Sequence, residues 1–154
     1  IRSVPPVDNE PPLELGPIIR ILFLTGEVPL LPAEIIDHES PRPPAPAVAE
    51  TVEYGKYIAS GCIGCHGPEY SGGAIPGVPP DFPHASNITT DDKTGLGQWT
   101  EANFITAMQE GKRPDGSAID PFMPWKNFGQ MTDSELKALW MFLQALPKKE
   151  FGNR

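Results

Sequence analysis

Gly61-Cys62-Ile63-Gly64-Cys65-His66-Gly67 is the stretch whose reading decides the fold. It contains Cys-x-x-Cys-His, the spacing at which two thiols can each add to one vinyl group of a haem while the next histidine sits beneath the iron. Cys62 and Cys65 are the two cysteines of the chain, so the motif takes up all of its thiols. A thioredoxin-like redox pair shares the C-x-x-C but needs a βαβ context, which the flanking residues lack. A structural zinc site wants four ligands, usually from two such pairs, and there is no second pair. The expectation is one covalent haem c, attached through Cys62 and Cys65, with His66 as the proximal ligand; a simple disulfide is the bland rival.

The chain has 154 residues, enough for one domain with an extension and a modest core. Twelve basic against 20 acidic residues leave a net charge of −8, which speaks against nucleic acid as a partner, since that requires a basic face. An acidic carrier is instead steered toward partners that present basic patches. Twenty prolines and 15 glycines imply many turns, with helices as islands. No run of 18 apolar residues occurs, so no transmembrane span is expected within the chain. Covalent haem attachment takes place outside the cytoplasm and the chain starts at Ile1. A removed signal, or an anchor outside this chain, is therefore expected, with the protein in the bacterial periplasm or on the outer face of the cytoplasmic membrane.

Residues 1–50 differ from the rest and are expected to form a proline-rich docking or linking extension. They hold 11 of the 20 prolines and carry three basic against eight acidic residues, a charge of −5. Such a composition resists packing into a domain of its own. Within it, Gly16-Pro17-Ile18-Ile19-Arg20-Ile21-Leu22-Phe23-Leu24-Thr25-Gly26 has a proline at a helix start and a glycine past its end. Being apolar nearly all round, this two-turn helix is expected to be buried, either on the haem domain or on a partner subunit or membrane surface. Residues 28–36 read as an extended piece leading into a short apolar turn, and residues 40–49 as a stiff proline linker. The domain boundary is expected there, with the haem domain at 51–154.

Residues 51–60 are expected to form a short helix that feeds the haem motif, and residues 67–83 a glycine- and proline-rich loop against the cofactor. Thr100 suits an N-cap for a helix over 101–110 with Gly111 as its stop, and Phe104, Ala107 and Met108 make its buried face. Asp115-Gly116 and three prolines keep residues 112–127 in loops. Thr132-Asp133-Ser134-Glu135 is a capping box that opens a last helix reaching about residue 146, with a stripe of Leu136, Leu139, Trp140 and Leu143. The tail from Lys148 is expected to fray.

The iron needs a decision on its second face. Met108 and Met141 fall in helical stripes and read as core fillers, Met131 as a contact before an N-cap, and His38 as part of an acidic linker. His84, in a loop after a proline, stays open. Met123 lies in Pro121-Phe122-Met123-Pro124-Trp125, where flanking prolines limit the loop and present the thioether, and it is the expected sixth ligand. A neutral sulfur raises the reduction potential relative to bis-histidine ligation. Trp99 and Trp125 have N–H groups suited to a haem propionate, an ordinary core role being equally open. Asn87, Lys112 and Arg113 could each sit near the propionates too, with a solvated surface role the preferred reading for Lys112 and Arg113.

Read in order, Gly55-Lys56-Tyr57, the Cys62–His66 motif, Ser71-Gly72-Gly73, Asn87-Ile88-Thr89, Thr94-Gly95-Leu96-Gly97-Gln98-Trp99-Thr100, Asp115-Gly116, Met123-Pro124-Trp125 and the last helix resemble a class I cytochrome c domain. More narrowly they resemble the single-haem domains of membrane-associated bacterial dehydrogenase cytochrome subunits. The resemblance covers about residues 51–147. It implies an all-α cytochrome c fold, with three to four helices around one haem and Gly55 of the first helix crossing the last near Phe142. It also implies His66/Met123 ligation and an electron-transfer protein, not an enzyme in its own right, serving redox partners in a larger respiratory complex. Those subunits often carry three such domains; this chain has one motif. A peroxidase-like haem enzyme or gas sensor with a labile sixth ligand is the alternative, and no distal acid–base constellation favours it.

Overall fold

The computed structural model of the chain describes residues 16–28, 32–41 and 44–153, so the expectations for residues 29–31 and for 42–43 of the linker lie outside it. The chain separates into two compact units, residues 1–43 and 44–154. In the first, Pro17 opens helix α1 (Pro17–Leu24), and a single 3-10 turn (Pro32–Ile35) follows. None of the α1 residues is buried, with Ile18 75% and Leu24 82% exposed, so burial on a partner subunit or membrane surface remains the expectation for it. α1 holds seven apolar residues and Arg20, and none of the seven is buried.

The second unit is all-α among its described residues: α2 (Val52–Ala59), α3 (Ile63–His66), α4 (Glu101–Glu110), α5 (Trp125–Phe128) and α6 (Asp133–Gln144), with two isolated bridges and no strand. Three of these are full helices and two are single turns. Each full helix starts where a threonine side chain takes over an orphan backbone N–H. Thr51 accepts from the Tyr54 N–H, Thr100 exchanges hydrogen bonds with Asn103, and Thr132 does so with Glu135. α4 ends at Gly111, whose left-handed φ of 69° closes the helix. Trp125 lies flat on that glycine, and a Cβ there would meet its ring at 2.4 Å.

The core is built on the crossing of α2 and α6. Gly55 makes it possible: a Cβ at this position would come within 1.9 Å of the Ala138 carbonyl oxygen and 2.9 Å of the Phe142 Cβ. Leu136, Leu139, Trp140, Phe142 and Leu143 of α6 meet Phe104 and Met108 of α4, with the Phe104 and Trp140 rings 5.5 Å apart. Met141, read as part of this stripe, instead points outward and is 39% exposed, since its position falls on the opposite side of the helix from 136, 139, 140 and 143.

The tail does not fray. After α6 the chain turns back along the long loop, where Thr90 Oγ1 donates to the Leu146 carbonyl and Gly152 N–H to the Ser71 carbonyl. Lys149 pairs with Glu69 at 3.3 Å, and Phe151 stacks on His84 with ring centres 6.4 Å apart. These residues are polar, but the loop offers each a partner that sequence proximity could not reveal.

Candidate haem site

α2 delivers the chain into α3, a single turn that carries Cys62 at its N-cap and Cys65 and His66 within it. The turn leaves both sulfurs on one side of a cleft, with His66 behind them and 7% exposed. Both cysteines carry thiols. Burial, with a smaller contribution from Cys65, pushes the Cys62 thiol up to about 11. A dithiol oxidoreductase needs its attacking sulfur as a thiolate near neutral pH, and Cys62 is the opposite case.

His66 Nδ1 lies 2.7 Å from the Ser86 carbonyl oxygen. A carbonyl can only accept, so Nδ1 carries the hydrogen and the ring's lone pair sits on Nε2. A metal-binding histidine is oriented in this way, the backbone acceptor fixing the tautomer and raising the donor strength of the opposite nitrogen. Beyond His66 the chain winds tightly: Gly67, Gly72, Gly73 and, unusually for a side-chain residue, Tyr70 (φ 59°) all adopt positive φ. The Tyr70 ring is held edge-on against Phe142, 5.4 Å between centres.

The cleft has two lobes, of about 330 and 320 Å³. His66, Ser86, Met108, Arg113, Ile119 and Met123 line both, so the two lobes share a common wall. The first lobe adds Cys62, Cys65 and an apolar lining that includes Ile75, Phe122, Phe128 and Leu139. The second is more polar and contains Asn87, Lys93, Thr94, Trp99 and Asp115. Met123 is half-buried in the loop ahead of α5, where its N–H donates to the Asp120 carbonyl at 3.0 Å. His84 lines the first lobe as well, but is exposed and stacked on Phe151.

The pattern that defines the cytochrome c family matches residues 52–147. The chain belongs to the cytochrome c family. Among its relatives, the cytochrome c subunit of a quinone alcohol dehydrogenase from Gluconobacter oxydans (strain 621H) is 34% identical over 97 residues, which are 59% of this chain and 20% of that protein. The fructose dehydrogenase cytochrome subunit of Gluconobacter japonicus is 31% identical over 112 residues, 67% of this chain and 23% of that protein. The gluconate 2-dehydrogenase cytochrome c subunit of Pantoea cypripedii is 30% identical over 97 residues, 59% of this chain and 22% of that protein. The chain therefore aligns with about a fifth of the length of these relatives.

Membership of the family implies covalent haem c, and the residues of the cleft fit it. Two thiols, an imidazole with its lone pair on Nε2 and a thioether converge on an apolar slot, which continues into a lobe able to meet charged carboxylates. Among the described residues no group of three or more His, Cys, Asp or Glu side chains is placed to hold a metal ion.

Not every residue singled out from sequence falls where it was sought. Trp99 lines the polar lobe, but Trp125 lines neither lobe; it packs on Gly111 beneath Lys126, whose Nζ is 5.6 Å from the ring centre. Asn87 borders the polar lobe, 2% exposed, with both amide hydrogens engaged, one by Thr94 Oγ1 and one by the Lys149 carbonyl. It is a tie between loop and tail, and as a propionate donor it would have to release one of those bonds. Arg113, weighed between the propionates and the solvated surface with the surface preferred, borders both lobes, its guanidinium braced by the Ala118 carbonyl at 2.6 Å. Lys112 does remain at the surface, 3.9 Å from Glu110. The Asp115-Gly116 turn was the available signal: the Gly116 N–H donates to the Arg113 carbonyl, closing a hairpin-like loop that folds Arg113 inward.

Proposed function

We propose that the chain is a single-haem c-type cytochrome that passes one electron at a time between redox partners. It acts as a subunit of a membrane-associated dehydrogenase or respiratory chain, on the outer side of the cytoplasmic membrane. The observation that carries the reading is the convergence of Cys62, Cys65, His66 and Met123 on one cleft. Cys62 and Cys65 would hold the haem by thioether bonds, and His66 and Met123 would ligate the iron. Haem c, when bound, supplies reversible exchange of one electron between ferric and ferrous iron.

The chain's own residues do the rest. The Ser86 carbonyl keeps the His66 tautomer and ring orientation. The thioether of Met123, soft and neutral, favours the reduced state. Ile75, Phe122, Phe128 and Leu139 keep water from the ring plane, while Arg113 and Trp99 offer donors toward carboxylate tails. The relatives are cytochrome subunits of dehydrogenases, which supports placing this chain beside a larger oxidoreductase; the apolar, acidic extension supports its being the docking arm.

Production with covalent haem maturation tests the reading directly. The oxidised protein is expected to be low-spin, with the weak far-red absorption of a sulfur–iron bond, and to lose that band in Met123→Ala while Met108→Leu retains it. High-spin iron in the unmodified protein would instead favour a haem enzyme or gas sensor with an open sixth position.

A further inference from the structure

His66, the last residue of α3, is bracketed beyond that turn by two loop segments. From one side the Ser86 carbonyl accepts its Nδ1–H, and from the other the Gly72 N–H donates to its backbone carbonyl at 2.9 Å. The segments are stitched together by the paired bonds between Gly73 and Ala85, at 2.9 and 3.0 Å. A third bond, from the Ile88 N–H to the Tyr70 carbonyl at 2.9 Å, joins the same segments, and no regular sheet extends them.

A further support comes from residues 149–153. Ser71, next to Gly72, donates through Oγ to the Asn153 carbonyl and accepts the Gly152 N–H at 3.0 Å. Asn87, next to Ser86, donates to the Lys149 carbonyl at 2.8 Å, and Thr89 Oγ1 accepts the Lys149 N–H at 3.3 Å. Ser71, Asn87 and Thr89 are 0%, 2% and 0% exposed. These are buried polar side chains in a region with few ladder bonds, and the partners that draw the two segments to a common support belong to residues 149–153. Without the tail, buried donors and acceptors lose partners that water cannot readily replace. Both segments would then be released together.

We infer that the C-terminal residues 149–153 form a strap that positions the proximal histidine, holding the Ser86 carbonyl on His66 Nδ1 and so setting the donor strength of Nε2 toward the iron. The inference rests on the proposed haem ligation, since it concerns what the strap does to a ligand. A slack strap weakens the Nδ1–H···O=C bond and makes the imidazole a poorer donor. The ferric state, which depends more on that donation, loses stability, so the potential rises. A general loosening that merely admitted water to the cleft would favour the more highly charged ferric state and lower the potential. The sign of the change therefore separates positioning from loss of structure.

The experiment compares Thr89→Val and Thr89→Ser in the haem-loaded protein. Valine keeps the volume of threonine and removes the hydroxyl, which accepts the Lys149 N–H and also donates to Asn87 Oδ1 at 2.8 Å; serine restores both, and removal of residues 150–154 reads the tail's share alone. Two quantities are read: the reduction potential, and hydrogen exchange of the His66 ring N–H by NMR of the reduced form. Thr89→Val is expected to raise the potential and to speed ring N–H exchange about tenfold through more frequent local opening, and Thr89→Ser to return both toward the parent. Removal of residues 150–154, which keeps the Lys149 ties and drops those to Ser71, should give an intermediate effect; Lys148→Ala, which loses only an exposed pair with Asp92, should change neither quantity. Unchanged exchange, or a potential that falls, overturns the strap. If the parent protein lacks a low-spin spectrum, the ligation itself fails, which is a separate and earlier result.

Discussion

Two thioethers reach the cleft, and the difference between them is mechanical. Met108 is 6% exposed, part of the α4 core face, and fixed by a helix on one side and Leu139 on the other. Met123 comes from a loop between prolines, with a backbone that is not committed to a helix. Loss of Met123 should therefore lower the potential and admit cyanide or carbon monoxide to the iron, whereas loss of Met108 should act mainly on stability. Arg113 gives a second test at this scale. Its charge in the wall of both lobes favours the less positive iron, so Arg113→Gln should lower the potential by on the order of 1 kcal/mol, or some tens of mV, in a titration at low salt. No change would return Arg113 to the surface role that its neighbours in sequence suggested.

At the scale of elements, the protein depends on one close crossing and three caps. Gly55→Ala drives a methyl into the Ala138 carbonyl, and α2 must move off α6; a loss of about 1–3 kcal/mol in denaturant unfolding is expected, with the haem still attached. A stability equal to the parent's would show that the crossing has slack. The α6 cap carries a pH signature. Hydrogen bonds from the Thr132 backbone and side chain, and then from Tyr54, hold the Glu135 carboxyl below its ordinary value of 4.5. A depressed folded value means that the contribution is present above the unfolded value and disappears as pH falls through the folded one. The melting temperatures of the parent and Glu135→Ala should thus differ at pH 7 and converge as the pH drops below about 4.5. A gap that persists in acid would mean that the cap works without its charge. These elements were legible beforehand because caps are local: a threonine and its partner three residues on settle them before any packing occurs. The exposure of Met141 was equally legible from its place on the helix and was misread, whereas the inward turn of Arg113 was not settled locally, because it depends on where a loop ends up relative to other parts of the chain.

For the whole molecule, the question is what the first fifty residues serve. They carry −5 of the net −8, and α1 presents Ile18, Ile21, Phe23 and Leu24 to solvent. Interfacial membrane helices are usually rich in lysine and arginine on their polar face, and α1 has only Arg20. A protein partner with an apolar groove and a basic rim suits it better. Deleting residues 1–45 should leave the haem spectrum and potential intact while the remaining domain no longer co-purifies with membrane-solubilised oxidoreductase; undiminished co-purification would move the docking surface to the haem domain. By itself, the sequence determined the family motif at Cys62–His66, the all-α character, the caps and most of the helix faces, because each follows from residues within one or two turns of each other. Only the tertiary structure decided that Asn87 ties a loop to the tail, that Arg113 borders the cleft, and that the chain's polar end is an ordered strap. Each of those depends on hydrogen bonds between residues many tens of positions apart, or on the way a loop closes, and such partners exist only once the fold has brought them together. The opening stretch is thus completed from a distant part of the chain: Cys62, Cys65 and His66 could be read in isolation, but the loops that hold His66 lean on residues 149–153.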